Sequence, residues 1–353
     1  MAAHQLSPKL GREALDVLAL CKGNIVHAAE KLKIPRTTLQ SRIRSARLMG
    51  LHEPLDAPVE APGPLTFDEQ WAQWRQTIGM AKDRYKARQK RPAFSDKRIL
   101  VIPDLHVPFH EPEMVADMLA KEGEADLAVC IGDLSDSYSL STYVSYNPIP
   151  YEAEWAACTA MVQTLSETFP ETVILSGNHD TRLEKRVRER LSEAQVKAVL
   201  CITGGTLCPV TAISRRYSNI TMASHVTPSG ETISWCQGIG DAWFGHAEVY
   251  SRVPGTALRN THEWLVDNEE SLGFQDYRCI VMGHTHQAGL FPWRANKLLV
   301  ECGCLCKQQG YMRAPSSVGK GRPQRRGYVT LNQKDGRTDL NSVRFHWFDA
   351  EDR

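Results

Sequence analysis

Apolar residues recur along this chain in two rhythms. Over residues 8 to 22, Leu10, Ala14, Val17, Leu18 and Cys21 fall three or four apart, which gives a helix one apolar face. Gly23 closes that helix. Asn24 is placed to cap a second one carrying Ile25, Ala28, Ala29 and Leu32, and Pro35 opens a third. On the third, Leu39, Ile43 and Ala46 share a face, leaving Arg36, Thr37, Gln40, Ser41, Arg44 and Arg47 on the other sides. Beyond residue 96 the rhythm changes. Short unbroken apolar runs, in KRILVIPDLH, DLAVCIGDLSD, TVILSGNHD, AWFGHAE and RCIVMGHTH, read as strands. Helical patterns such as EPEMVADMLAKEG and YEAEWAACTAMVQTLSETF lie between several of them, so strand and helix alternate as in a layered α/β fold. The chain closes with YVTLN, a KDG turn and SVRFHWF, read as a hairpin.

Between the two regions, LHEPLDAPVEAPGP carries four prolines and marks a linker. Residues 66 to 90 read as an amphipathic helix, with Trp71, Trp74 and Ile78 on one side and a basic end, that docks on the large domain. Contact of Lys82, Arg84, Lys86, Arg88 and Lys90 with DNA is the alternative to a merely solvated charge run. The expected organisation is therefore a small all-α unit at 1–50, a Pro-rich linker with an amphipathic helix at 51–95, and a large α/β domain at 96–350.

Composition narrows the class. Of 353 residues, 42% are hydrophobic and 24% charged, enough apolar content to fill a core and unlike a disordered chain. No run approaches 18 apolar residues, and MAAHQLSPKLGREALDVLAL lacks the basic start and apolar centre of a signal peptide. A soluble, cytoplasmic protein is expected, its ten cysteines reduced. The formal net charge of +1 is unevenly distributed: residues 1–50 carry nine Lys and Arg against three Asp and Glu, a surplus of six, so the remainder stands at −5. A basic small unit points to a polyanionic partner.

Three short helices ending in a donor-rich one form a helix-turn-helix pattern, whose last helix enters the major groove of DNA. The stretch NIVHAAEKLKIPRTTLQSRIRSARLMGL resembles the Fis-type helix-turn-helix of bacterial regulators. This implies DNA as a partner and Arg36, Thr37, Gln40, Ser41, Arg44 and Arg47 as its contacts. A three-helix packing or dimerisation module is the competing reading. Because one such unit makes few base contacts, a lone copy implies a homo-oligomer or simple tethering.

Each strand-like run in the large domain delivers polar side chains at its end: Asp104 and His106, Asp133 and Asp136, Asn178 with His179 and Asp180, His246, then His284 and His286. Two divalent cations about 4 Å apart need a carboxylate to bridge them, with imidazoles and carbonyl oxygens completing the sites. These are the residue types supplied. In this order the blocks D-x-H, G-D-x-x-D, G-N-H-D, a later His and G-H-x-H resemble the calcineurin-like metallophosphoesterase superfamily over residues 97 to 302. The resemblance implies an α/β/β/α double-sheet sandwich and, as cofactors, two divalent metal ions. Manganese is the first choice, with iron, zinc, nickel or magnesium as alternatives. It implies Asp104, His106 and His286 on the first metal, Asp133 bridging, and Asn178, His246 and His284 on the second. His179 becomes the outer catalytic histidine, with Asp180 orienting its ring. One departure is Ala247 after His246, where the family often has Gly, which leaves His262 as a substitute ligand to be tested.

Three further features bear on chemistry. Arg182 is placed either to contact phosphate or to pair on the surface of TRLEKRVRER. Cys302, Cys304 and Cys306 lack the usual zinc spacing, and as alternate residues on a strand they are expected to face opposite layers as buried thiols. GYMRAPSSVGKGRPQRRG, with Arg313, Lys320, Arg322, Arg325 and Arg326, reads as a phosphate-gripping or merely solvated loop. The leading functional expectation is a metal-dependent phosphodiesterase or nuclease tethered to DNA, of bacterial or phage type. The alternatives are a phosphatase of proteins or small molecules, and a DNA-binding regulator whose metal site is structural.

Overall fold

The computed structural model describes residues 7–21, 25–49, 51, 72, 76, 97–141, 149–251, 253–273, 277–307 and 324–348. The chain divides into two compact units, Met1–Leu65 and Thr66–Arg353. Most of the linker, almost all of the expected 66–90 helix, Gly23 and Asn24 lie outside the described residues, as do Arg313, Lys320 and Arg322.

In the first unit, α1 (Pro8–Leu20), α2 (Ile25–Lys31) and α3 (Arg36–Leu48) close on a small core of Ala14, Leu15, Leu18, Ala28, Ala29, Leu39, Ile43 and Ala46. Leu15 is fully buried although the three-and-four spacing of Leu10, Ala14 and Val17 passes over it. Leu15 shares the buried face of α1 with Gly11, Ala14 and Leu18, and Gly11 lies close to α3: a Cβ there would lie 3.0 Å from that of Ala46. Arg36, Thr37, Gln40, Ser41 and Arg44 are all exposed.

The second unit begins with β1 (Lys97–Ile102), α4 (Pro112–Glu122), β2 (Leu127–Cys130), α5 (Tyr151–Thr168) and β3 (Thr172–Ile174). Helices α6 (Arg182–Arg190), α7 (Glu193–Ile202) and α8 (Pro209–Ser214) lead to β4 (Ile220–Met222). A short hairpin, β5 (His225–Val226) and β6 (Thr232–Ile233), precedes β7 (Cys236–Ile239) and β8 (Ala242–Gly245). Helices α9 (Thr256–Asp267) and α10 (Glu269–Leu272) then give way to β9 (Cys279–Met282), β10 (Ala288–Trp293) and β11 (Lys297–Cys302). The terminal pair is β12 (Gly327–Lys334) and β13 (Arg337–Trp347). Asp335 and Gly336 both have positive φ between them, as the expected two-residue KDG hairpin turn requires.

One sheet runs β13-β12-β1-β2-β3-β4 and the other β10-β11-β9-β8-β7. Strands β1 to β4 are mutually parallel, as are β8, β9 and β11. Alternation along β1 explains the layering. Ile99 and Val101 join Val129, Phe244, Val281 and Val300 in a core between the sheets, while Leu100 and Ile102 face Leu119, Met161 and Leu165 of α4 and α5. On the far side, Trp243, Ile280 and Leu299 pack under Leu258 and Leu265 of α9. The order is thus helix, sheet, sheet, helix, and strands covered on both faces are unbroken apolar runs for that reason. No helix among the described residues is long and apolar enough to cross a membrane.

Candidate metal centre

Because β1, β2, β3, β8 and β9 each end at a polar block and run parallel within their sheets, their carboxyl ends meet along one edge. Around the carboxylate of Asp133 the distances are short. Its Oδ2 lies 3.7 Å from His106 Nε2 and 3.3 Å from His246 Nε2. His106 Nε2 is 3.1 Å from His286 Nε2, which is 3.4 Å from Asp104 Oδ1. On the other side Asn178 Oδ1 is 3.3 Å from His246 Nε2 and 3.0 Å from His284 Nδ1. All seven candidate ligands are therefore brought together. Ligand atoms of Asp133, His246 and His284 lie within 4.8 Å of one another, as do those of His106, Asp133 and His179.

The backbone gives the same picture. Asp104, His106, Asp133, His284 and His286 have φ of 37°, 48°, 48°, 75° and 53°, a left-handed region that costs a non-glycine residue about 1–3 kcal/mol. Strain concentrated in five residues at one spot is tolerated only where the surroundings hold it. Two glycines explain how the blocks approach so closely. A Cβ on Gly132 would collide with the ring of His246, and one on Gly177 with the carboxylate of Asp133.

Ring orientation is set from outside the cluster. His246 donates Nδ1–H to the carbonyl of Ile131 at 2.8 Å, and His106 donates Nδ1–H to the Asp136 carboxylate at 3.0 Å, leaving both Nε2 atoms aimed inward. The Nδ1 of His286 meets the side-chain amide of Gln324 at 2.7 Å. The Gln324 oxygen is otherwise buried without a hydrogen-bond partner, so the amide turned about accepts Nδ1–H and frees the third Nε2. Gln324 lies 38 residues from His286 in sequence and carries no motif, so the sequence offered no signal for it.

The electrostatics call for positive charge. Burial opposes protonation of His246, but Asp133, assisted by Asp104, outweighs it and lifts the ring to about 10. His286 is likewise lifted to about 9 against burial, with Cys304 and Asp104 on the raising side. Burial would raise Asp133, yet His246 and His179 hold it well below the usual carboxylate range. His284, buried and repelled by His246, falls to about 4. Carboxylates that draw protons onto neighbouring imidazoles are equally suited to draw cations, and the oxygen and nitrogen donor set fits borderline divalent metals.

Several expectations are corrected. Asp180 does not touch the ring of His179: its carboxylate accepts from the amides of Ser135 at 2.8 Å and Gly177 at 2.9 Å. The ring is oriented instead by Asp136, whose carbonyl accepts from Nδ1 at 3.0 Å, and its Nε2 accepts from Arg182 at 3.0 Å. Arg182 also donates to the Asp136 carbonyl at 2.9 Å, so it sits at the rim of the centre and not in a surface pair. Arg326 is engaged in an ion pair with Glu111 at 2.9 Å, whereas Arg325 is exposed. His262 packs against Tyr277 and Trp293 under α9, apart from the cluster.

Cys302, Cys304 and Cys306 are buried thiols as expected, but only Cys302 lies on β11, so strand alternation does not set which way the other two face. Cys302 lies between the sheets, but Gly303, at φ 77°, breaks the run. Cys306 consequently falls within 4.8 Å of ligand atoms of His106 and His286.

Residues 15–45 match the family model of the bacterial regulatory proteins of the Fis family. No curated protein matches the chain. Among solved structures, Vps29 from Chaetomium thermophilum is similar at 14% identity, covering 67% of this chain and 85% of that one with a TM-score of 0.34. A conserved uncharacterised protein of Streptococcus pneumoniae TIGR4, titled a predicted phosphoesterase, is similar at 11% identity, covering 71% and 98%, with a TM-score of 0.27. The family model for calcineurin-like phosphoesterases matches residues 97–288, more than half of the chain and every one of the polar blocks gathered at the sheet edge, and the chain belongs to that family.

Proposed function

We propose that this metal-dependent phosphoesterase is a phosphodiesterase that cuts DNA, to which its N-terminal helix-turn-helix tethers it. In this reading Asp104, His106 and His286 would hold one cation and Asn178, His246 and His284 the other, with the Asp133 carboxylate available to both, manganese being the preferred ion. The observation that carries it is that one oxygen of Asp133 stands within 4 Å of imidazole nitrogens from both halves, His106 and His246.

Bound there, two divalent cations would supply Lewis acidity toward a phosphoryl group and toward water. The chain's own residues supply the rest. His179 is held 4.0 Å from Asp133 Oδ2 with Nδ1–H fixed on the Asp136 carbonyl. Burial opposes its protonation, but the neighbouring carboxylates outweigh burial and favour the protonated form. Once Arg182 turns from Nε2 to a phosphate oxygen, Nε2–H is therefore the group that gives its proton to the leaving oxygen. Arg182, at that same nitrogen, offers its guanidinium to a phosphate oxygen. Asp136 positions both His106 and His179, and Asp180 secures the backbone of the Gly177–Asp180 turn. A single helix-turn-helix per chain makes self-association the means of gripping a two-fold DNA site.

The test is manganese-dependent hydrolysis of a phosphomonoester, a phosphodiester, and single- and double-stranded DNA, with and without residues 1–64. Diester and DNA cleavage are expected, the DNA activity falling selectively on the deletion. Turnover of the monoester alone would make the protein a phosphatase. DNA binding with no turnover of any substrate would make it a regulator with a structural metal.

A further inference from the structure

Next to the centre is a cavity of about 480 Å³ that the proposed chemistry does not use. It opens from Asn178 and His246 and is walled by Ala247, Val249, Trp235 and Trp264. Its position is tied to the centre through the backbone, because the amide of His246 donates to the carbonyl of Trp235 at 2.8 Å. Trp235 is braced from behind by the buried Trp243, ring centroids 5.7 Å apart and nearly perpendicular. Trp264, projecting from α9, stands 5.8 Å from Trp235 at a 50° tilt. That gap is too narrow for a third ring, which would need about 7 Å, twice an ordinary contact. The open side of the pair is the face left to a flat ligand, and Trp264 is 42% exposed there despite being a large apolar residue beside a cleft.

The chemistry of the walls selects the ligand. Among the described residues no lysine or arginine lines the cavity, and the Lys185 ammonium beside it is already paired with Glu248 at 2.9 Å, so the lining favours an uncharged group over a second phosphate. The amide of Asn260 and the hydroxyl of Ser234 line it, with the second carboxylate oxygen of Glu248, whose first is paired with Lys185, offering both donors and acceptors to the edge of a ring. An uncharged, planar group with a hydrogen-bonding edge, attached to a phosphate that reaches Asn178 and His246, is a nucleobase. A plain aryl ester would leave the polar border unused, and a sugar would leave the indoles unused.

We propose that this cavity is a base-binding subsite, in which the base of an unpaired nucleotide stacks on Trp264 and Trp235 while its phosphodiester occupies the metal centre. The proposal rests on the phosphodiesterase reading and narrows it to single-stranded or unstacked DNA. A base inside a duplex is already stacked and cannot enter a pocket.

The test compares two diesters with the same leaving group, thymidine 5′-(p-nitrophenyl phosphate) and methyl p-nitrophenyl phosphate, on the full chain with manganese. The wild type should favour the thymidine ester by about tenfold or more in kcat/KM, the size expected of one base–aromatic stack. Trp264→Ala should collapse that ratio toward one, and Trp264→Phe should keep most of it. A wild-type ratio near one, or a ratio unchanged in Trp264→Ala, overturns the subsite. Hydrolysis of neither ester overturns the phosphodiesterase reading instead. The subsite is then decided by tryptophan fluorescence: thymidine, but not deoxyribose, should quench the wild type and not Trp264→Ala, and the absence of quenching overturns it.

Discussion

His106 and His286 are 180 residues apart in the chain, yet their Nε2 atoms meet at 3.1 Å. His286, lifted to about 9, carries a proton that joins the two nitrogens, and a cation bound between them would take that proton's place. Their Nδ1 atoms are committed elsewhere, His106 to Asp136 and His286 to Gln324, so both rings are fixed with Nε2 turned inward.

Gln324 is accordingly expected to tune metal affinity without being a ligand. Removing such an outer partner weakens metal binding about 10- to 100-fold. Gln324→Leu should show a loss of that order in chelator competition with manganese, with the metal-free protein retaining its fold by circular dichroism. An affinity within twofold of the wild type would take Gln324 out of the centre's support.

Asp180 should behave as a structural residue. Its carboxylate satisfies two buried amides, and leaving each unpaired costs about 1–3 kcal/mol. Asp180→Ala is therefore expected to lower unfolding stability by roughly 2–5 kcal/mol in urea. Asp180→Asn, which keeps one acceptor oxygen, should lose less. Were Asp180 acting on the ring of His179, the alanine variant would shift the pH–rate profile with little loss of stability.

The layered architecture was legible because strands covered on both faces must be apolar throughout, and each polar block had to follow such a run. The terminal hairpin was equally legible from KDG, where two positive-φ residues are needed. What the sequence could not display is partnership across distance. Asp180 stands beside His179 in the chain, but the turn directs its carboxylate back to Ser135 and Gly177. Arg326 belongs to a basic run yet finds Glu111, and Gln324 reaches His286 because β12, which follows it, runs antiparallel to β1 and so begins near the end where β1 delivers its polar block. Leu15 shows the same limit within one helix, where it shares the buried face with Gly11, close to α3.

His110 makes acid stability a measurable property of the fold. Burial, and then the nearby charge of Lys307, pushes its ring down to about 3, against about 6.5 in an unfolded chain. As pH falls below 6.5, the unfolded chain takes up the proton first, so this residue's contribution to stability is complete above 6.5 and declines toward 3. His110→Phe, which fills the same buried position without titrating, should lessen the drop in urea midpoint between pH 7 and pH 4.5. An unchanged drop would mean that His110 does not contribute to acid unfolding.

On α3 the apolar residues Leu39, Ile43 and Ala46 are buried, while Gln40 and Arg44, four apart, are exposed on one side of the same helix. Residues so placed can reach DNA together, and they should do so by different means. Glutamine reads a base edge, so Gln40→Ala in the full chain should cost about 1–3 kcal/mol on the preferred sequence and little elsewhere. Arginine at a phosphate is indifferent to sequence, so Arg44→Ala should weaken all DNA alike and reduce the slope of log affinity against log salt by about one. Fluorescence anisotropy on specific and random duplexes over a salt series separates the two effects. If neither substitution changes affinity at any salt, α3 does not face DNA, and the basic surplus of the first unit serves assembly instead of tethering.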